Sequence, residues 1–521
     1  MMKMISRAAC LVVALLATTP ASAGWSRAVS PHFVIYSDQS AEELKAYATK
    51  LEAFDQAVRY ARRVPDVQIG PASKVTVYAV RDLPTLQRIY GGYGVGGFYI
   101  RRAGYSAAFV PLQTNPATRL DLTPENVFFH EYAHHLMYEN VHAALPLWLS
   151  EGFAEFFSTV KFEADGSVGL GAPAAHRAEI LLMKLASPMP LDRMLGGTWK
   201  QLRHYYLEEI YGRGWLLTHY LTFNTARKGQ LERYVAGIQE GKPALQAARD
   251  AFGDLGRLDG ELKDYVRSKR FPYVTVPPQK FSVGAITVEP LSPGEAAFME
   301  VRMHSRRGVT EEQAAKLIPH ARRIAANYPD DPAVQAGLAE AEADAHNYDA
   351  AVAAADRALA ANPKSMDALL EKGRAISTKA EKDKSFKPDW KEVRQLYLSA
   401  NRLDPDDPRP LIGYHGTFGK AGLKPTASAL EGLLYAFELS PQDPDLRWTV
   451  MRELVAAGRQ ADAAKTLKPL AYAPHGGKAV ERANDVLDKI EAGDLSAAEQ
   501  RIAEIEKEVK DEEEREKKKR K

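Results

Sequence analysis

The sequence is poor in cysteine and has no excess of either charge. Cys10 is the one cysteine among 521 residues, so an intramolecular disulfide is impossible and sites built from several thiolates are excluded. Any metal would have to be held by histidine, aspartate and glutamate. The chain has 69 basic and 67 acidic residues, a net charge of +2. This charge is too small for nucleic acid to be expected as a partner.

Long apolar runs are also missing, apart from one at the N-terminus. Arg7 precedes the apolar stretch 8–17, and the small residues 21–23 follow it as a cleavage site. This stretch is much shorter than the roughly 20 residues that a membrane span needs. We therefore predict a signal peptide over residues 1–23 and a periplasmic or secreted mature chain with no stable membrane span.

Apolar periodicity divides the rest of the chain into two halves. Residues 24–270 begin with a pattern typical of a mixed sheet with helices and continue as mostly helix. The predicted strands are Phe33–Tyr36, Val75–Val80, Phe98–Ile100 and Ala107–Leu112, with helices over 40–63 and 83–90. The last two strands are expected to be joined around Ala103-Gly104. Residues 271–305 contain several prolines and β-branched runs, which predict a small β-rich element or linker.

The second half repeats. Prolines recur at spacings of 34, 42, 36 and 33 residues, at positions 329, 363, 405, 441 and 474. This period resembles the tetratricopeptide repeat, a helix–turn–helix unit that stacks into a solenoid. The resemblance predicts repeats over 306–475 that bind a protein partner, followed by a C-terminal helix and charged tail over 476–521. An insertion near 378–388 explains the long spacing, and an alanine-rich helical bundle is the alternative.

The segment 123–134 carries the most informative chemistry. Its Thr-Pro start suits a helix N-terminus, so His130 and His134 are one turn apart on the same helix face. Two imidazoles at this spacing can bind one tetrahedral Zn²⁺. Glu131 lies beside the first imidazole, where it can take a proton from a water molecule that the metal activates.

A second segment, 146–157, supplies a third ligand. Two antiparallel helices would bring Glu151 beside the histidine pair, which gives a His₂Glu site with one position open to water. Ser150 is expected to cap the second helix. Glu155 lies one turn further along the same face, where it can accept the spare N–H of a liganding imidazole. The alternative is an acidic patch on an ordinary helix, which leaves unexplained why two acids face one way among aromatic residues.

Residues 130–157 resemble the gluzincin zinc metallopeptidases, the superfamily of thermolysin. The resemblance implies His130, His134 and Glu151 as zinc ligands, and Glu131 as general base and acid. The family commonly adds a residue that hydrogen-bonds the reaction's oxyanion, and Tyr211 is the candidate here. Gluzincins also present an edge strand to an extended peptide, a role that Ala107–Leu112 would suit.

The expected fold is therefore an α+β zincin-like catalytic domain followed by an all-α repeat solenoid. The expected function is an exported zinc peptidase that acts on a protein or peptide substrate. Endopeptidase activity is favoured over aminopeptidase activity because the glycine-rich segment 91–97 has neither the acid nor the methionine of the aminopeptidase motif. Two alternatives stay open: an inert protease-like scaffold that binds partners through its repeats, and a zinc amidase or endopeptidase acting on cell-wall peptides.

Overall fold

The computed structural model describes most of the chain. The described residues are 24–113, 122–140, 145–197, 202, 207–472 and 477–520. The predicted signal peptide, residues 1–23, lies outside them. Within the described part the chain is mostly helical, with a small mixed sheet near the N-terminus and a solenoid-like array of helices after it. None of the described helices is both long and apolar enough to cross a membrane.

The described strands form two sheets. They are β1 (Ser26–Val29), β2 (Phe33–Ser37), β3 (Val75–Asp82), β4 (Phe98–Ile100), β5 (Ala107–Gln113), β6 (Lys161–Phe162), β7 (Val168–Leu170), β8 (Val274–Val276) and β9 (Thr287–Pro290). The larger sheet has the order β4-β5-β3-β2-β1-β9 and the smaller one the order β6-β7-β8. Strand β3 is parallel to β2 and β5, whereas the other pairs are antiparallel. All four predicted strands occur.

The position of β5 shows that one prediction is wrong. Ala107–Leu112 was expected to form a free edge, but β5 lies between β3 and β4. The edge strand on this side is β4, because the turn around Ala103-Gly104 folds it back along the outer side of β5. A turn sequence predicts that two strands pair, but it does not tell which of them becomes the edge.

Ten described helices belong to the N-terminal half. They are α1 (Ala41–Arg62), α2 (Leu83–Tyr90), α3 (Pro124–Asn140), α4 (Leu147–Ser158), α5 (Ala178–Met183), α6 (Leu191–Gly196), α7 (Leu207–Phe223), α8 (Gln230–Gln239), α9 (Ala244–Phe252) and α10 (Leu255–Ser268). Helix α1 begins at a capping box of Ser40 and Glu43. Its Phe54 packs on Phe129 of α3, with ring centroids 4.3 Å apart. Helices α1 and α3 thus share one core with the sheet.

Helices α4 and α7 touch backbone to backbone. Gly152 and Gly214 face each other, and a Cβ on Gly214 would lie 2.6 Å from the carbonyl oxygen of Trp148. A Cβ on Gly152 would lie 2.8 Å from the hydroxyl of Thr218. A methyl group does not fit at these distances in a closely packed interior, so the contact requires glycine on both helices.

We expect Gly152→Ala to lower the free energy of unfolding by about 1–3 kcal/mol, because overpacking would push α4 away from α7. Chemical denaturation measures this change. The matched control is Gly260→Ala in α10, where a Cβ would meet nothing within 4 Å. That variant should gain up to about 1 kcal/mol from the better helix propensity of alanine. Equal effects of the two substitutions would contradict the close contact.

The segment 271–305 contributes to both halves of the chain. Strand β8 pairs with β7 in the small sheet, and β9 pairs with β1 at the edge of the large one. From Pro293 the chain is already helical, behind a capping box formed by Ser292 and Glu295. The segment therefore completes both sheets and starts the helical array.

The second half consists of paired helices. They are α11 (Pro293–Arg307), α12 (Glu311–Asn327), α13 (Pro332–Asp344), α14 (Tyr348–Ala361), α15 (Met366–Lys382), α16 (Trp390–Leu403), α17 (Pro408–Lys420), α18 (Ala427–Leu439), α19 (Pro444–Ala456), α20 (Gln460–Ala471), α21 (Gly477–Glu491) and α22 (Leu495–Arg520). The residues Asp331, Asp407 and Asp443 cap α13, α17 and α19, each followed by proline. The described helices of this half begin at Pro293 and continue to Arg520.

The array packs on the outer face of the large sheet. Met299 and Met303 of α11 lie in one buried cluster with Tyr78 and Phe109 of the sheet. The Tyr78 ring stacks on Phe109, with centroids 4.9 Å apart. Helices therefore cover both faces of the sheet, and the two halves share a buried contact.

Candidate metal centre

Helix α3 presents the two predicted histidines on one face. The Thr123 hydroxyl accepts a hydrogen bond from the backbone N–H of Asn126 at 3.1 Å, as expected of a residue that caps the helix. One turn separates His130 from His134, and their Nε2 atoms lie 3.2 Å apart. Both rings are mostly buried, with 12% and 6% of the side chain exposed. Two ring nitrogens therefore point at a common position.

Helix α4 brings a carboxylate to the same position. The Glu151 side chain is fully buried, with Oε2 3.2 Å from His130 Nε2 and Oε1 3.5 Å from His134 Nε2. Zn²⁺ bound tetrahedrally at about 2.0–2.1 Å would separate its ligand atoms by roughly 3.3–3.4 Å. The two histidine Nε2 atoms, 3.2 Å apart, are close to this spacing, and each lies 3.2 or 3.5 Å from one of the two Glu151 oxygens. Donor type and geometry thus both fit Zn²⁺.

The outer nitrogens of both imidazoles also have neighbours. His130 Nδ1 lies 3.5 Å from Glu155 Oε1, and His134 Nδ1 lies 3.4 Å from the Ser150 hydroxyl. Such contacts orient an imidazole and fix which nitrogen faces the metal. Ser150 was expected to cap α4, and that prediction is wrong. The helix starts at Leu147 after Pro146, so Ser150 lies inside it and faces His134.

Glu155 is held by two residues that the sequence did not single out. His176 Nε2 lies 2.8 Å from Oε2, and the Arg177 guanidinium lies 2.6 Å from Oε1. Burial by itself raises the pKa of the Glu155 carboxyl, but these hydrogen bonds outweigh it and lower the pKa to about 2. Glu155 is therefore ionised. No local pattern marks His176 and Arg177, because the fold alone brings their short turn to α4.

Tyr211 of α7 lies beside the histidine pair, as the resemblance implied. Its ring centroid is 5.9 Å from that of His130, and the Arg177 guanidinium lies 4.8 Å from the same tyrosine ring. Burial, together with the charge of Glu151 and a hydrogen bond to it, raises the pKa of the Tyr211 hydroxyl well above its usual value. The hydroxyl therefore keeps its proton and can donate a hydrogen bond.

The carboxylates give the site an electrostatic preference for cations. Burial lowers the pKa of His130, but the hydrogen bond and charge of Glu151, with the charges of Glu155 and Glu131, outweigh burial and raise it. Glu131 is half-buried and also contributes to the raised pKa of Tyr211. Its charge therefore adds to the negative charge that acts on His130 and Tyr211.

A hydrogen-bonded network fixes α3 from the opposite side. The Tyr132 hydroxyl donates to Asp55 of α1 at 2.8 Å, and Asp55 pairs with Arg59. His32 lies 2.8 Å from Glu52 in the same network. His32, Glu52 and Asp55 could also gather around an ion, but an arginine and a tyrosine already bind Asp55. We therefore assign this cluster to structure.

Edge strand β4 also contacts α3. The Tyr99 hydroxyl lies 2.8 Å from Nδ1 of His135, the residue next to His134. His135 is itself buried and stacks on Tyr132, with ring centroids 5.5 Å apart. It is a packing residue that joins the edge of the sheet to the helix of the candidate centre.

His219, on the same helix as Tyr211, lies in an aromatic cage. Its Nε2 is 2.9 Å from the carbonyl oxygen of Pro272, and its Nδ1 is 2.9 Å from the Tyr265 hydroxyl. The neutral ring satisfies both contacts by donating from Nε2 and accepting at Nδ1. Burial lowers the pKa of His219 to about 4.

Comparison with known proteins gives little further guidance. No family model matches the chain, and no curated protein matches it. Among solved structures, one that is similar is a thermophilic TPR protein from Thermus thermophilus. The two are 17% identical, and the match covers 33% of this chain and 90% of that chain with a TM-score of 0.29. The helical pairs described above, rather than this likeness, define the repeat half.

We expect the chain to bind one Zn²⁺ and Glu151→Ala to weaken binding the most. Glu155→Gln should cost about 10–100-fold in affinity, the usual effect of losing a partner of a liganding histidine. Competition with a zinc chelator measures the Zn²⁺ affinity of the wild type and of both variants. Glu179→Ala, which changes an exposed acid of α5, is the control and should bind like the wild type. Unchanged affinity in Glu151→Ala would remove Glu151 from the ligand set.

A second prediction concerns pH. Because the folded pKa of His219 is below its ordinary value of 6.5, protonation favours the unfolded chain. Its contribution to stability is complete above pH 6.5 and falls by about 1.4 kcal/mol per pH unit down to about pH 4. We expect His219→Phe to lose this part of the pH dependence. The free energy of unfolding is measured by chemical denaturation at several pH values between 6.5 and 4. If it changes with pH equally in the variant and the wild type, the assignment is wrong.

Proposed function

We propose that this protein is a zinc-dependent hydrolase of peptide bonds. One observation carries the proposal: the Nε2 atoms of His130 and His134 lie 3.2 Å apart, and each is 3.2 or 3.5 Å from a carboxylate oxygen of Glu151, a donor set that suits Zn²⁺. Three protein ligands leave a fourth position open, as in catalytic rather than structural zinc sites. The resemblance of residues 130–157 to gluzincins supports the same reaction class.

Each residue of the centre then has a role that follows from its position. A bound Zn²⁺ would lower the pKa of a water molecule toward about 7. Glu131 would accept a proton from the attacking water and would deliver it to the departing amine. Tyr211 keeps its own proton and would donate a hydrogen bond to the carbonyl oxygen, which becomes negatively charged when water adds to the carbonyl carbon. Glu155 and Ser150 hold the histidine rings in place through their outer nitrogens.

The substrate that fits is an extended peptide. The accessible edge of the large sheet beside α3 is β4, whose Tyr99 contacts His135. A peptide that adds to a sheet edge is recognised through its backbone, so the sequence preference would be broad. Internal bonds are favoured over N-terminal ones, since segment 91–97 lacks the acid that would bind a free amino terminus. The same chemistry would also cut an amide in a cell-wall peptide.

A binding scaffold is the second candidate function. The paired helices α11–α22 favour it, because they make up more of the structure than the candidate centre requires. Stacked helix pairs of this kind offer long surfaces to other proteins. In this case the N-terminal half would hold the array without hydrolysing anything, and zinc would have no effect on turnover.

We expect Glu131→Gln to keep its zinc and to lose about 10²–10⁴-fold in the rate of peptide hydrolysis, because the proton acceptor is gone while the ligands remain. Rates are measured on a denatured protein and on a peptidoglycan peptide. The control is Glu125→Gln in the first turn of the same helix, where the acid is 46% exposed.

The outcomes separate the candidate functions. Hydrolysis of the denatured protein by wild type and control, but not by Glu131→Gln, supports the peptidase. Hydrolysis of the peptidoglycan peptide alone supports the cell-wall alternative. Full activity in Glu131→Gln would refute the role of Glu131, and no zinc-dependent turnover in any protein would favour the scaffold.

A further inference from the structure

The tip of the β4–β5 hairpin, residues 101–106, lies against the repeat half. The backbone N–H of Ala103 donates to Asp443 Oδ2 at 2.5 Å. The Arg409 guanidinium lies over the Tyr105 ring, 4.3 Å from its centroid. Asp443 caps α19 and Arg409 belongs to the first turn of α17, so the tip contacts the first helices of successive pairs.

The repeat half also contacts the backbone of Arg102, whose side chain has charges of both signs around it. The Gln442 side-chain amide donates to the Arg102 carbonyl oxygen at 3.4 Å. Burial, followed by the charge of Arg306, lowers the pKa of Arg102, and the charges of Glu340, Asp344 and Asp443 do not outweigh them. The repeat face therefore offers a stacking cation to one tyrosine, a carboxylate to one backbone N–H and an amide to one carbonyl oxygen.

The backbone of the tip is a tight turn shaped to this face. Gly104 and Tyr105 both have positive φ, at 72° and 58°. This conformation is unfavourable for a tyrosine, so it persists only where surrounding contacts hold it. A Cβ on Gly104 would lie 2.8 Å from Arg409 Cγ, so only glycine lets the turn approach so closely.

We propose that this face of the repeats is a protein-binding site whose partner presents a tyrosine beside a glycine turn, and that the hairpin tip is its tethered counterpart. A tethered ligand acts at an effective concentration in the millimolar range. The face is therefore closed to a weak partner, and it opens only when a partner competes successfully or when the tip is displaced.

Displacement would reach the candidate zinc centre. The hairpin that ends in the tip begins with β4, whose Tyr99 contacts His135 of α3. A partner on the repeats would therefore loosen one end of the hairpin whose edge strand contacts the helix of the histidine pair. Only this consequence rests on the proposed function, since the binding face itself involves no residue of the candidate centre.

The test uses the full chain without metal and a cyclised, fluorescent peptide with the sequence of residues 98–109. Gly104→Ala removes the tip from the face, and Tyr105→Ala serves as a second tip variant that adds no atom. The matched control is Gly94→Ala, because Gly94 has a similar φ of 86° but open space around it. Asp443→Asn, combined with each tip variant, removes an acceptor while its remaining oxygen can still cap α19. Fluorescence anisotropy reports binding.

We expect both tip variants to bind the peptide at least about tenfold more tightly than the wild type and Gly94→Ala do. Adding Asp443→Asn should abolish that gain, and a peptide with alanine in place of its tyrosines should not bind. Equal binding by wild type and tip variants, binding that survives Asp443→Asn, or no binding by any protein would overturn the proposal. Since no hydrolysis is measured, failure here is distinct from failure of the proposed peptidase.

Discussion

The close contact between α4 and α7 determines the geometry of the candidate centre. Because only hydrogen atoms project from Gly152 and Gly214, the helices approach without intervening side chains. Glu151 and Glu155 of α4 then face the histidines of α3, and Tyr211 of α7 reaches the same space. A wider spacing between α4 and α7 would leave these polar side chains buried without their hydrogen-bond partners. Burying an unpaired polar group costs free energy.

Several buried carboxylates around the candidate centre are paired with arginine side chains. Arg177 contacts both the Glu155 carboxylate of α4 and the Tyr211 ring of α7, so one residue joins these two helices. Behind α3, Arg59 and Tyr132 hold Asp55 in the same way. A buried charge persists only when it is paired and hydrogen-bonded. These pairs make the position of α3 rigid, as a preorganised catalytic site requires.

The large sheet connects the two halves. One face packs on α1 and α3 and the other on α11, while the hairpin of its edge extends to α17 and α19. The repeats are therefore part of the same folded body as the candidate centre, through contacts between residues hundreds of positions apart. The sheet is therefore the element through which the repeats and the candidate centre contact each other.

Much of the local structure was predictable. Helical periodicity places His130 and His134 one turn apart, because that spacing depends on four residues of one helix. Strands with alternating or β-branched patterns were found at 33–37 and 75–82. The recurring prolines at 329, 363, 405 and 441 located the helix pairs because each follows the end of a helix, where proline is common since it cannot continue the helix; the fifth, at 474, lies outside the described residues. β1 was not predicted, since four residues carry too little periodicity and its partner β9 lies more than 250 residues away.

The sequence by itself determined the composition of the candidate ligand set and the order of the elements. It left no thiolate ligand in the mature chain predicted by cleavage after residue 23, and it placed two histidines and two glutamates on neighbouring helices. Only the tertiary structure decided that β4 rather than β5 is the edge, that Arg177 and His176 hold Glu155, and that the hairpin tip binds the repeats. These contacts join segments distant along the chain, and their free energy comes from packing that no local pattern encodes.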